Sequence, residues 1–170
     1  MRRWRARSIC DRASLVGRSG DEALPLLLTL SSGVKGFTTI HAGSARQALS
    51  RLRFMCQLSD AATQLPLAAL NALVSESIDL VVHCARSAEG PYVTEIIAVE
   101  DLAGAPDASP FTVTPLFGPG GEGGQGGEGA DRGSLAWSGN LPVRVGRILA
   151  GAGLDVRDLL EPDRQPGAVR

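Results

Sequence analysis

Between Gly118 and Gly133 the chain is mostly glycine, with Glu, Gln and Pro interspersed. A stretch of this composition has almost nothing apolar to bury and loses the most backbone entropy on ordering, so it behaves as a flexible linker. Any core must therefore be built largely from what precedes it. Of the 170 residues, 44% are hydrophobic, enough for one domain plus a small attached piece. The predicted organisation is a poorly defined arm over 1–18, a domain over 19–117, the linker over 118–133, a small helical appendage over 134–160 and a disordered tail over 161–170.

Charge excludes some partners. With 17 basic and 18 acidic residues the formal net charge is -1, so no global field draws the protein onto nucleic acid or an anionic surface. Only Arg2, Arg3, Arg5, Arg7 and Arg12 cluster, at the start of the chain, where a solvated arm is the simplest reading. No signal-peptide apolar run follows them. The longest apolar stretch, around Leu24 to Leu30, falls well short of the ~20 residues that span a bilayer. Cys10, Cys56 and Cys84 are unpaired in spacing, which suits free thiols in a reducing compartment.

The patterning predicts helices followed by an antiparallel β meander, an α/β content. Ser19 and Glu22 have capping-box spacing ahead of Ala23, Leu24, Leu27, Leu28 and Leu30, with Gly33 as terminator. Pro25 must then sit in the first helical turn or kink the helix. Residues 37–42, aromatic and β-branched, predict a strand. Ser44 and Gln47 form a second capping box, before Ala45, Ala48, Leu49, Leu52, Met55 and Cys56 on one helical face. Pro66 opens a third helix to about Ser77, with Leu67, Leu70, Leu73 and Val74 inward. Strands are predicted over 79–85, 92–99 and 111–114, and beyond the linker a short helix follows Pro142, with the segment 155–160 after Gly151–Gly153.

The segment Thr38-Thr39-Ile40-His41-Ala42-Gly43-Ser44 places an imidazole at a predicted strand end just before a helix N-terminus, where backbone amides favour an anion. A histidine there can donate to a phosphate oxygen. An ordinary hydrogen-bonded histidine is the alternative.

Gly20-Asp21-Glu22-Ala23-Leu24, Thr38-Thr39-Ile40-His41-Ala42, Arg46 with Ala48-Leu49-Ser50-Arg51-Leu52, and Ile78-Asp79-Leu80-Val81-Val82-His83 follow one another in order and spacing. Together they resemble the CpaF-type (Tad pilus) branch of the type II/type IV secretion ATPase superfamily over residues 20–117. The resemblance implies the C-terminal half of a RecA-like P-loop ATPase domain, with ATP and Mg2+ as cofactors. It also implies a homohexameric ring, platform proteins of the inner membrane as partners, and a cytoplasmic location against the inner face of that membrane. By the same resemblance His41 matches the histidine box that faces the γ-phosphate. Glu22 matches an acidic catalytic position, with helix capping as the alternative. Thr39 falls in the nucleotide-side segment, and Arg46 and Arg51 match arginines that meet phosphate or a neighbouring subunit, with solvated helix charges as the alternative.

The departures are equally specific. No Gly-x-x-x-x-Gly-Lys-Ser/Thr occurs anywhere, so the loop that cradles β- and γ-phosphates is missing. The family's Walker B Gly-Glu is replaced by Val16-Gly17-Arg18 or thereabouts, and Gly43 stands where the family usually has Asn. The pattern reads as a C-terminal fragment or a natural short relative, not expected to turn over ATP alone. Two functions follow as expectations, an ATP-driven secretion motor or a non-hydrolytic protein that packs into such a ring or onto its platform. A zinc site is not expected, since adjacent His83 and Cys84 would point to opposite faces of a strand. No cysteine has the surroundings of an activated nucleophile.

Overall fold

The computed structural model describes residues 22–59, 65–88, 90–101, 111–119 and 135–160. The arginine-rich arm, Ser19, Cys10, the 103–110 connection, most of the glycine-rich stretch and the tail lie outside the described residues.

Three helices come first: α1 (Ala23–Ser31), α2 (Ala45–Gln57) and α3 (Leu67–Ser77). Pro25 stands in the first turn of α1, where its missing N–H would have had no intrahelical partner, so the helix starts immediately after Glu22. Gly33, at φ 97°, supplies the left-handed residue that ends it. Leu27 of α1, Leu49 and Leu52 of α2, and Leu70 and Val74 of α3 are buried in one cluster with Ile97, Val99 and Phe111. Each such side chain withdrawn from water contributes about 1.5–3 kcal/mol. The predicted inward positions hold except Leu67 and Leu28, which are exposed at the start of α3 and on the far side of α1.

The sheet is antiparallel throughout, in the order β1 (Leu80–Ser87), β2 (Gly90–Val99), β3 (Val113–Pro119) and β4 (Leu135–Trp137). Burial alternates along β1: Val81, His83 and Ala85 turn toward the helices, while Leu80, Val82, Cys84 and Arg86 face out. His83 and Cys84 do therefore lie on opposite faces. Opposite them, the register slips between His83/Glu95 and Cys84/Val93, leaving Thr94 as the extra residue of a β-bulge.

Three expectations need correction. Residues 37–42 form no strand: the stretch pairs with no strand among the described residues, and Phe37 is 86% exposed. β-branched composition favours a pleated surface but cannot supply the neighbouring strand that makes a ladder, and the described residues offer none to it. The third strand continues through Gly118 and Pro119, the first residues assigned to the linker. Beyond that stretch, β4 joins the sheet edge, with Phe117, Gly118 and Pro119 opposite Trp137, Ala136 and Leu135.

The C-terminal helices α4 (Val143–Gly151) and α5 (Val156–Leu160) are likewise fastened to the body. Glu100, buried just after β2, accepts hydrogen bonds from the Val143 and Arg144 amides at 3.0 and 2.8 Å and from the Thr114 hydroxyl at 2.9 Å. A carboxylate on the first amides of a helix satisfies orphan donors and complements the macrodipole. Arg144 runs back the other way. Its guanidinium donates to the carbonyls of Ser75 and Ile78 at the end of α3 and meets Asp79 at 3.2 Å and Asp101 at 3.8 Å. Asp79 also meets Lys35 at 3.6 Å, but that lysine is well exposed, so the pair adds little.

Candidate functional site

The start of α2 is where the sequence pointed, and the local bonding there is dense. Ser44 is the N-cap, extended at φ -160°, ψ 164°, and its Oγ accepts from the Gln47 amide at 3.2 Å. Gln47 completes the box one residue further back than expected, its Oε1 accepting from the Gly43 amide at 3.2 Å. A Cβ at position 43 would stand 2.8 Å from that Oε1, so glycine is what allows this return bond. The Ala45 amide donates to Glu95 Oε1 at 2.5 Å, from fifty residues away in β2. The first turn of α2 therefore already holds a carboxylate of its own chain, and an anion arriving there would meet that charge.

His41 lies three residues before the cap, exposed, and makes no hydrogen bond or ion pair among the described residues. Thr39 is exposed too, whereas the Thr38 hydroxyl is buried without a hydrogen-bond partner among the described residues. Arg46 reaches away from this end. Its Nη1 donates to the Phe111 carbonyl at 3.3 Å, while Arg53, two turns on, stands over the Phe111 ring at 5.9 Å and donates to Asn71 Oδ1 at 3.2 Å. Both arginines thus fasten the start of the third strand onto α2, a structural task for Arg46 beside the predicted one. Arg51 is exposed on α2. Glu22 is the N-cap residue of α1, exposed, with helical backbone angles and no side-chain capping bond.

No hydrogen bond or ion pair joins Glu22, Thr39, His41, Arg46 and Arg51 to one another among the described residues. Thr39, His41 and Arg46 share one run of chain around the α2 cap. Glu22 heads a different helix, and Arg51 follows Arg46 by five residues, which turns it well around the helix axis.

Two residues that sequence reasoning did not place here belong to the site. The sequence alone suggests only a metal-ligand role for His83 and no role for Glu95. The ring of His83 has Nδ1 2.6 Å from Thr94 Oγ1 and Nε2 3.2 Å from the Ala42 carbonyl. Among the described residues, then, His83 is the histidine whose ring is hydrogen-bonded and His41 the one whose ring is not. The sequence signal for His83 and Glu95 was their inward position on β strands, which marks them as polar groups in need of partners but does not say which.

Cys56 is fully buried on α2 and its thiol is pushed up to about 11 by desolvation, with a smaller opposing effect from a backbone hydrogen bond. It is inert packing and no nucleophile at neutral pH. Cys84 is a free, exposed thiol on the outer face of β1. No group of three or more His, Cys, Asp or Glu side chains suited to a metal ion occurs among the described residues. No helix among them is long and apolar enough to cross a membrane.

No family model matches the chain, and no solved structure matches it. Over 78 residues it is 41% identical to the type IV secretion system protein PtlH of Bordetella pertussis, a match that takes in 45% of this chain and 23% of the relative. The PtlH homologues of Bordetella parapertussis and Bordetella bronchiseptica match with the same identity and coverage. The chain therefore spans 23% of the length of these curated relatives, and over that part it is related to a type IV secretion system protein.

Proposed function

We propose that this chain serves a type IV secretion system as the C-terminal portion of a motor ATPase domain of RecA-like type, with His41 as the group that meets the terminal phosphate of ATP·Mg2+. The observation that carries the reading is the state of His41: an imidazole just ahead of a capped helix, exposed, and with none of its hydrogen-bonding capacity used by the described residues. The relationship to PtlH over 78 residues supports the setting. The phosphate-binding loop is absent from these 170 residues, so the loop must come from other sequence for turnover to occur. In this reading Thr39 lies on the nucleotide side, Arg51 faces phosphate or the next subunit of a hexameric ring, and Glu22 supplies an acidic group near the reaction. The ring sits against the inner face of the cytoplasmic membrane on its platform proteins.

A second reading has its own observation. Leu80 and Val82 on the outer face of β1, and Phe37 on the unpaired segment, are large apolar side chains left 46%, 52% and 86% exposed. Exposed apolar side chains of this size suit a non-hydrolytic protein that packs onto other subunits. ATP turnover by the chain combined with the sequence that supplies the phosphate-binding loop separates the two. Turnover that is reproducible and abolished in His41→Ala supports a motor, and turnover indistinguishable from background in both proteins supports the packing role.

A further inference from the structure

What His41 can reach depends on how the chain just after it is held, and the residues that hold it come from the sheet. His83 and Glu95 stand directly opposite each other on β1 and β2. Residues so paired share a face of the sheet, here the face toward the helices. Their side chains grip two ends of one short stretch: Nε2 of His83 is 3.2 Å from the carbonyl of Ala42, and Oε1 of Glu95 accepts from the amide of Ala45 at 2.5 Å. One contact fixes a carbonyl on the residue after His41. The other fixes the first amide of α2.

Thr94 makes the first contact insensitive to the charge on the ring. As the bulge residue it is displaced from the regular ladder, which brings its Oγ1 to 2.6 Å from Nδ1 and 3.2 Å from the carbonyl of His83 itself. The hydroxyl has one hydrogen and two ways to use it. When it donates to Nδ1, the ring is neutral and its single N–H, on Nε2, donates to Ala42. When the ring carries both protons, Nδ1–H donates to Oγ1, the hydroxyl hydrogen turns to the carbonyl of His83, and Nε2–H still donates to Ala42.

We infer that His83, Thr94 and Glu95 form a two-point clamp that positions His41, with His83 and Glu95 as the positioning residues and Thr94 as the group that keeps the ring aimed in both protonation states. The functional meaning of the clamp rests on the role proposed for His41, but the clamp itself is tested without nucleotide. Nuclear magnetic resonance on the whole chain follows amide exchange over residues 43–47 and the ring resonance of His41. His83→Ala should speed exchange at Ala45 and Gln47 about tenfold and move the His41 signal, with the amides of residues 97–99 unchanged. His83→Gln places a side-chain N–H near the Nε2 position and should restore most of that protection. Thr94→Val, nearly isosteric but without the hydroxyl, should show a smaller acceleration at the same amides.

Wild-type exchange over 43–47 in His83→Ala, or equal acceleration there and over 97–99, would overturn the clamp. Should His83→Ala fail to fold, the other two variants decide. Protection kept in His83→Gln with acceleration in Thr94→Val supports it, and wild-type exchange in both refutes it. None of these outcomes depends on ATP, so failure of the clamp and failure of the motor reading are told apart by the turnover assay.

Discussion

The first turns of α2 and α4 are held by the same device and differ in how deeply it is set. Each receives a glutamate from β2 or its end: Glu95 on the Ala45 amide, Glu100 on the Val143 and Arg144 amides. Glu100 is buried, bonded also to Thr114, and backed by an arginine that returns to the end of α3. Glu95 is only partly buried and makes one helix contact, beside the exposed His41. A carboxylate on helix amides is worth more the less water it sees. The α4 end is therefore the firmer fastening, and the α2 end the weaker one.

The largest loss is expected at Arg144. Arg144→Ala strips a nearly buried cation from two carbonyls and two carboxylates, and should cost about 2–3 kcal/mol in urea unfolding. A cost below about 1 kcal/mol would mean that α4 is the loose appendage its position after a glycine-rich stretch suggested.

Cys56, on the buried face of α2, adds a pH-dependent contribution. Its thiol is raised from 9.0 to about 11, so the folded protein binds that proton more tightly than the unfolded chain. The sign follows: stability from the neutral thiol is intact below pH 9 and is lost as pH climbs toward 11, by about 2–3 kcal/mol. Urea midpoints at pH 8 and pH 10.5 should fall further apart in the wild type than in Cys56→Ala, and equal differences would contradict it.

At the α2 end the effects shrink. Glu95→Ala should cost about 1 kcal/mol, well under the loss from Arg144→Ala, and show itself mainly as faster amide exchange at Ala45. An equal cost at both ends would remove the distinction. His41→Ala should change stability by less than about 0.5 kcal/mol, because the ring is exposed and contributes no bond among the described residues. A larger loss, measured by thermal unfolding, would make His41 a structural histidine.

What could be read in the sequence was local. The Ser44 and Gln47 pair sits three residues apart, Pro66 and Pro142 stand immediately before helices, and the inward face of α2 repeats at helical spacing. These signals need only a few neighbours along the chain. Residues 37–42 carried an equally clear β composition and still form no strand, since pairing depends on a second segment. The contacts that define the site were illegible for the same reason. His83 meets Ala42 across 41 residues and Glu95 meets Ala45 across 50, and neither separation leaves a mark in periodicity or spacing. The short β4, three residues at the far side of a glycine-rich run, is likewise set by its partner β3 and not by its own pattern.

The division of labour between the two imidazoles is tested most directly by recording their ring protons and nitrogens in the intact protein. His83 should show a slowly exchanging Nε2 proton coupled through its hydrogen bond to the Ala42 carbonyl, while the ring protons of His41 exchange too fast to see. A protected proton on His41, with His83 exchanging freely, would contradict the account.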